Sequence, residues 1–211
     1  MRIKHSIAAK FWMTLRLLPL AVMLCPRIAT AQQDNLRRYL ACGLGDKFAI
    51  VETIENAKRF VRSVSTPQGS KKIVVVHGFS QHIAYNGTPF VNFKAERLES
   101  FASTKQSLID NLSTMAKGTR DMESTTPREF YYNGFEIRAI DRSKLSGGVQ
   151  SVYVLYREDD ETVVTLYILN TPPEAPQFST IEQYRELSDA FVQSYTACAA
   201  KNLKSVSVPP S

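Results

Sequence analysis

The chain has 211 residues, with 26 lysines and arginines against 20 aspartates and glutamates, a formal net charge of +6. Five of the basic side chains, Arg2, Lys4, Lys10, Arg16 and Arg27, lie in the first 31 residues, which contain no acid. The other 180 residues carry 21 basic and 20 acidic side chains, a net +1, which argues against a nucleic-acid partner held by bulk positive charge.

Residues 1–31 have the form of a cleavable secretory signal. A basic start leads into the short apolar run Leu17 to Cys25, then Pro26 and the small-residue pattern Ala29-Thr30-Ala31, so cleavage is expected after Ala31 and the mature chain at Gln32. Nine residues are too few for a bilayer core, which takes roughly 20 as a helix, and no later stretch comes close, so no transmembrane segment is expected in the mature chain. Val22-Met23-Leu24 are too bulky for a lipid-attachment signal at Cys25. An organelle transit peptide shares the basic, acid-free start, but the compact apolar run and the Ala-x-Ala pattern favour a periplasmic or secreted destination. In such an oxidising compartment the two remaining cysteines, Cys42 and Cys198, are expected to form a disulfide; two buried free thiols are the alternative. The bond would close a loop of 156 residues, which chain entropy values at up to about 5 kcal/mol.

Leu36 and Leu40 are one helical turn apart and predict a short helix from Asp34 to Ala41, ended by Gly43, with Cys42 at its last turn. Five strands are expected next: Phe48 to Thr53, Arg59 to Thr66, Lys72 to His77, Gln81 to Tyr85 and Thr88 to Lys94. Thr66-Pro67-Gln68-Gly69 makes one turn, and Asn86-Gly87 supplies the two positive-φ residues of a tight hairpin. A helix follows, with Ser103 and Gln106 at capping-box spacing, Phe101, Leu108, Leu112 and Met115 on one face, and Gly118 as its stop. Beyond a polar connection the alternating pattern resumes in Phe130 to Asp141, turning at Asn133-Gly134, then in Val149 to Arg157 and Thr162 to Asn170. The tip Glu158-Asp159-Asp160-Glu161 reads as a solvated hairpin turn, because its acids lack the spaced ligands and glycine-pinned loop that calcium needs. Thr171-Pro172-Pro173 and Pro176 form a rigid crossing. The last helix starts at Thr180, with Gln183 completing a second capping box and Tyr184, Leu187, Phe191, Tyr195 and Cys198 in one buried stripe. Residues 203–211 are expected to be a disordered tail. The fold class is therefore α+β, one domain over residues 32–202: an antiparallel β-sheet built of hairpins, flanked by helices, with a C-terminal amphipathic helix.

Catalytic chemistry has little to rest on. Lys72 to Phe79 is an apolar strand ending in His77-Gly78, similar to the oxyanion-loop strand of α/β-hydrolases, but the chain has no Gly-x-Ser-x-Gly nucleophile turn and runs through hairpins where that fold alternates strands and helices. His77 and His82 are five apart, which places them on opposite faces of a straight strand. A turn at Gly78 would bring them together, yet no third ligand completes a metal site, so they read as surface histidines. Gly147-Gly148 precedes a strand and is no phosphate cradle, and no cofactor is expected. What remains is aromatic. Tyr131, Tyr132, Tyr153, Tyr156 and Tyr167 lie on predicted strands, either as an exposed binding surface or as a second core layer.

The order of helix Ser103 to Gly118, turn Asn133-Gly134-Phe135, hairpin Val149 to Asn170 and terminal helix ending Phe191-Val192-Gln193-Ser194-Tyr195 resembles the PsbP-like fold over roughly Phe48 to Ala199. The resemblance implies an antiparallel sheet flanked by helices and a lumenal or periplasmic accessory protein that binds a partner without catalysis. It transfers no functional residue, and the Cys42–Cys198 link is not a mark of that family. Together these readings point to an exported, non-enzymatic accessory or binding protein acting through protein–protein contacts with an unidentified partner in the cell envelope. An inhibitor or immunity-type protein and a carrier of a small apolar or lipid ligand are the alternatives. N-terminal sequencing of the exported protein should start near Gln32, and thiol titration under denaturing, non-reducing conditions should find no free thiol.

Overall fold

The computed structural model describes residues 36–118, 127–145, 147–170 and 178–204. The expected signal segment with Cys25, the Thr171-Pro172-Pro173 stretch with Pro176 expected as a crossing, and residues 205–211 lie outside the described residues.

Eight strands form one sheet: β1 (Phe48–Asn56), β2 (Phe60–Thr66), β3 (Gly69–Tyr85), β4 (Thr88–Leu98), β5 (Arg128–Tyr132), β6 (Phe135–Asp141), β7 (Gly148–Arg157) and β8 (Thr162–Asn170). Helix α1 (Phe101–Gly118) joins β4 to β5, and α2 (Ile181–Lys204) follows β8. The spatial order is β1-β3-β4-β8-β7-β6-β5, with β2 also on β3, and every pairing is antiparallel. Two hairpins turn at expected places, Asn86-Gly87 with the expected positive φ (49° and 80°) and Asn133-Gly134 with the same geometry (52° and 81°).

The predicted strands Lys72 to His77 and Gln81 to Tyr85 are one continuous strand, β3, with no turn at Gly78. A single glycine without other turn residues does not break a strand that has neighbours on both sides. Gly78 pairs with Asn56 of β1 and Glu96 of β4. β1 and β2 pair in succession along the same side of β3, Phe48 opposite Tyr85 through Asn56 opposite Gly78, then Phe60 opposite Val75 through Thr66 opposite Gly69. They are two halves of one long hairpin arm.

Each face of the sheet is covered by one helix. Toward α2, Phe79, Phe93, Phe135, Tyr153, Leu155 and Leu166 pack against Tyr184, Phe191, Val192, Tyr195 and Ala199. Toward α1, Val64, Ile73, Val75, Val152, Val154, Tyr156 and Val163 pack against Phe101, Leu108, Leu112 and Ala116. The central strands are therefore buried on both sides, and every residue of β7 from Gln150 to Tyr156 is buried.

Helix α1 begins two residues before the expected capping box. Phe101 is drawn into the core at 7% exposure, and the chain turns out of β4 through Ser100 at φ 55°. Ser103 then falls inside the first turn, where its Oγ donates to Ser100 O at 3.1 Å, while Gln106 donates to Asp110 Oδ1 at 3.0 Å. The second box forms almost as expected: Gln183 N donates to Thr180 Oγ1 at 3.3 Å, and Ser179 N donates to Gln183 Oε1 at 2.9 Å. Leu203 and Lys204, expected in the tail, still belong to α2.

The expected helix from Asp34 to Ala41 is also corrected. Over the described residues only Leu36-Arg37 is helical, followed by a turn bonded from Tyr39 N to Leu36 O at 3.0 Å. Continuing the helix would give Ala41 N to Arg37 O, but Gln81 Oε1 takes it at 2.7 Å. Tyr195 Oη donates to Tyr39 O at 2.8 Å, and Cys42 is disulfide-bonded to Cys198, so the segment is strapped across the α2 side of the sheet. The disulfide is the one expected. Gly43 makes it accessible: φ is 66°, and a Cβ there would lie 2.7 Å from Cys198 Cβ. Gly43→Ala is expected to cost about 2 kcal/mol in urea denaturation without reductant. Gly45→Ala, with nothing within 4 Å of an added Cβ, should stay within about 0.5 kcal/mol.

Candidate functional site

The five tyrosines expected to share a surface are placed apart. Tyr153 and Tyr156 sit on β7 at 0% and 1% exposure and belong to the core, one toward each helix, because β7 is covered on both faces. Burial pushes both hydroxyls above the ordinary tyrosine range. Tyr153 Oη donates to Asp189 Oδ1 at 2.9 Å and accepts from Arg128 Nη2 at 3.1 Å, completing a cluster in which Arg128 Nε also meets Asp141 Oδ2 at 2.8 Å. Tyr132 is half-buried and accepts from Gln193 Nε2 at 3.0 Å. Tyr167 is half-buried with Lys94 Nζ 5.5 Å over its ring. Tyr131 alone is open to solvent, at 65% exposure, its hydroxyl donating to Glu129 Oε1 at 3.0 Å.

His77 is buried rather than on the surface. Its Nε2 lies 3.0 Å from Glu55 Oε1, its ring packs edge-on at 4.9 Å from Phe79, and Arg37 bonds the other oxygen of Glu55 at 2.7 Å. His82 points to the opposite face, exposed, with Nδ1 3.2 Å from Glu52 Oε2. Each histidine thus has a glutamate of β1 as its partner across the strand pair. Among the described residues no three His, Cys, Asp or Glu side chains are grouped to hold a metal ion. Among them, too, no helix is long and apolar enough to cross a membrane.

The exposed apolar surface is concentrated elsewhere than expected. Among the described residues six large hydrophobic side chains are exposed, and five lie on the first hairpin arm: Ile50 (45%), Val51 (70%), Ile54 (42%), Val61 (51%) and Val76 (38%). β1 is exposed without interruption from Ala49 to Ile54. Its inner side bonds β3, and among the described residues no strand pairs with its outer side. The register slips between Ile50 and Glu52, leaving Val51 as the extra residue of a bulge. Val51 also borders a notch of about 170 Å³ shared with His82, Ile83, Pro89, Val91 and Asn92. The sequence carried one sign of this edge: adjacent Ile50-Val51 breaks the alternation that a strand with one buried face requires.

At the other end of the sheet, Tyr131, Glu136 and Tyr156 are neighbours across β5, β6 and β7. With Gly134, Glu158 and Asp159 they line a cleft of about 300 Å³ between the β5–β6 and β7–β8 turns. Lys105 of α1 reaches over it, bonding Glu136 Oε2 and Glu158 Oε1, each at 2.6 Å. The Glu158–Glu161 segment is a hairpin turn as expected, though tied down: Lys105 holds Glu158, Arg157 meets Asp159 at 3.1 Å, and Tyr39 Oη donates to Asp160. Burial alone would raise the Glu136 carboxyl, but the bonds from Lys105 and Arg138 outweigh it and hold the group below its ordinary range.

No protein-family model, curated protein or solved structure matches this chain.

A carboxyl held low contributes stability above its unfolded-state value and loses that contribution as pH falls through its folded-state value. Glu136→Gln should therefore cost about 1 kcal/mol at neutral pH, a modest figure for a partly exposed charged pair. The gap should close as urea midpoints are followed down to about pH 3; a constant gap would contradict the assignment.

Proposed function

We propose that the mature chain is an exported, non-catalytic binding protein of the periplasm or extracellular space that engages a protein partner by strand addition to the outer side of β1. The observation that carries this reading is an edge strand exposed over six consecutive residues, Ala49 to Ile54, three of them large aliphatics. An extended peptide laid on such an edge gains main-chain hydrogen bonds for affinity and side-chain contacts for selectivity. Free edges are usually blunted by charge, proline or cover, since they template unwanted pairing. Here the bulge at Val51 supplies some blunting, yet Ile50, Val51 and Ile54 stay exposed.

Other observations support the same reading. Both mature cysteines are joined in a disulfide and both histidines are paired with glutamates, which leaves these groups with structural roles. The disulfide fits an oxidising compartment and agrees with export. The space between the sheet and α2 is filled by Phe79, Phe93, Phe135, Phe191 and Tyr195, all at 2% exposure or less, which favours surface binding over enclosure of an apolar ligand there.

The test is comparative. Immobilised mature protein is incubated with envelope extract beside Ile50→Lys and Val51→Lys variants and a Tyr131→Ala control. The expected outcome is a stoichiometric protein retained by the parent and by Tyr131→Ala and at least about tenfold less by both edge variants. Equal retention by all four chains, or no stoichiometric protein on the parent, would overturn the proposal.

A further inference from the structure

We propose that Asn86-Gly87 is a site of spontaneous covalent modification, at which Asn86 exchanges its side-chain amide for a carboxylate through a succinimide, while Asn133-Gly134 is shielded from the same reaction by Arg157. The modification needs no partner on β1 and does not depend on strand addition there.

The only co-reactant is water. Gly87 N, having given up its proton to solvent base, attacks Asn86 Cγ; a Cγ–N bond forms, the Cγ–Nδ2 bond breaks, and Nδ2 takes up a proton and leaves as ammonia. Water then opens the five-membered ring. Addition at Cγ restores the main chain and leaves aspartate, while addition at the main-chain carbonyl carbon leaves isoaspartate, with the chain routed through Cβ and Cγ. A glycine after the asparagine favours the first step, because no Cβ obstructs the approach of its nitrogen.

Both Asn-Gly pairs close two-residue hairpins with positive φ at each residue, and their surroundings separate them. Asn86 and Gly87 are exposed at the tip between β3 and β4. Among the described residues no hydrogen bond holds the Asn86 side-chain amide, and nothing lies within 4 Å of a Cβ added at Gly87. The pair is tethered through Asn86 N, which donates to Lys47 O at 2.8 Å. Rotation out of the turn to close the ring is therefore a local opening that leaves the sheet intact.

Asn133-Gly134 is clamped. Asn133 Nδ2 donates to Thr196 Oγ1 at 3.1 Å, and Arg157 Nη1 donates to Asn133 O and Gly134 O, each at 3.4 Å. A Cβ added at Gly134 would lie 2.5 Å from that same nitrogen, so the guanidinium fills the space that rotation would need. Arg157 is itself fixed, by Asp159 at 3.1 Å and by the Phe135 ring, whose centre is 5.7 Å away.

Either product puts a negative charge on the β3–β4 tip. Isoaspartate also adds a main-chain carbon to a turn that holds the entry of β1, where Asn86 N meets Lys47 O and Phe48 pairs with Tyr85. A hairpin fixes its register through loop length, so isoaspartate alters the turn where aspartate keeps it.

Peptide mapping by mass spectrometry of the disulfide-intact protein aged at mildly alkaline pH tests this, with the guanidinium-unfolded chain giving the unrestrained rates and isoaspartyl methyltransferase labelling separating the two products. In the folded chain Asn86 is expected to convert within about tenfold of its unfolded rate, and Asn133 at least about a hundredfold below its own. Arg157→Gln should raise conversion at Asn133 about tenfold and leave Asn86 unchanged, which also shows that the variant is folded. Conversion at Asn86 no faster than at Asn133 in the folded chain, or a rate at Asn133 unmoved by Arg157→Gln, would overturn the proposal.

Discussion

The structure depends on the pairing of β3. Its 17 residues are more than one neighbour on either side can match: β4 covers Val75 to Tyr85, while the other side is divided between β1 over Gly78 to Tyr85 and β2 over Gly69 to Val75. From that division follows most of the architecture. The β2 half, with Phe60, Val64, Ile73 and Val75, forms one end of the floor on which α1 rests. The β1 half ends the sheet with its outer side unpaired among the described residues. β3 therefore both anchors the core against β4 and positions β1 as an edge.

The second constraint is the strap from Leu36 to Cys42. Leu36, Tyr39 and Ala41 join the α2-side core, and the strap is fixed by Gln81, Tyr195 and Cys198 from elements distant in the chain. It also reaches the edge strand β1 and the β7–β8 turn. Arg37 bonds Glu55 at the end of β1, and Tyr39 donates to Asp160 in the turn beside the cleft. Burial first, and then the Asp160 carboxylate, raises the Tyr39 hydroxyl well above its ordinary range, so it remains a donor across physiological pH. The disulfide-held strap thus ties the end of β1 and the β7–β8 turn to the α2-side core.

Local chemistry was the most legible part of the sequence. Asn86-Gly87 and Asn133-Gly134 turn because both residues of each pair adopt positive φ, and β8 runs from Thr162 to Asn170, the bounds expected from the sequence. The stripe Tyr184, Phe191 and Tyr195 is the buried face of α2, though Leu187 and Cys198 are only half-buried. What was not legible depends on partners far along the chain. Nothing local signals that Gln81 will capture Ala41 N and end a helix, or that β7 will lie between two helices and take Tyr153 and Tyr156 into the core. His77 is buried because β1 delivers Glu55 to it across a strand pair, a contact 22 residues apart in the chain. The candidate surfaces were hidden for the same reason: a strand becomes an edge only by its place in the sheet, and only the unbroken exposure of β1 reveals that place.

Among the described residues no strand pairs with the outer side of β1, and residue-resolved amide hydrogen exchange of the disulfide-intact protein tests that edge most directly. The account predicts that β1 amides not bonded to β3 exchange orders of magnitude faster than those of β4, β7 and β8, whose exchange should approach the limit set by global unfolding. Uniform protection along β1, equal to that of β4, would contradict it, because that edge would then already be covered.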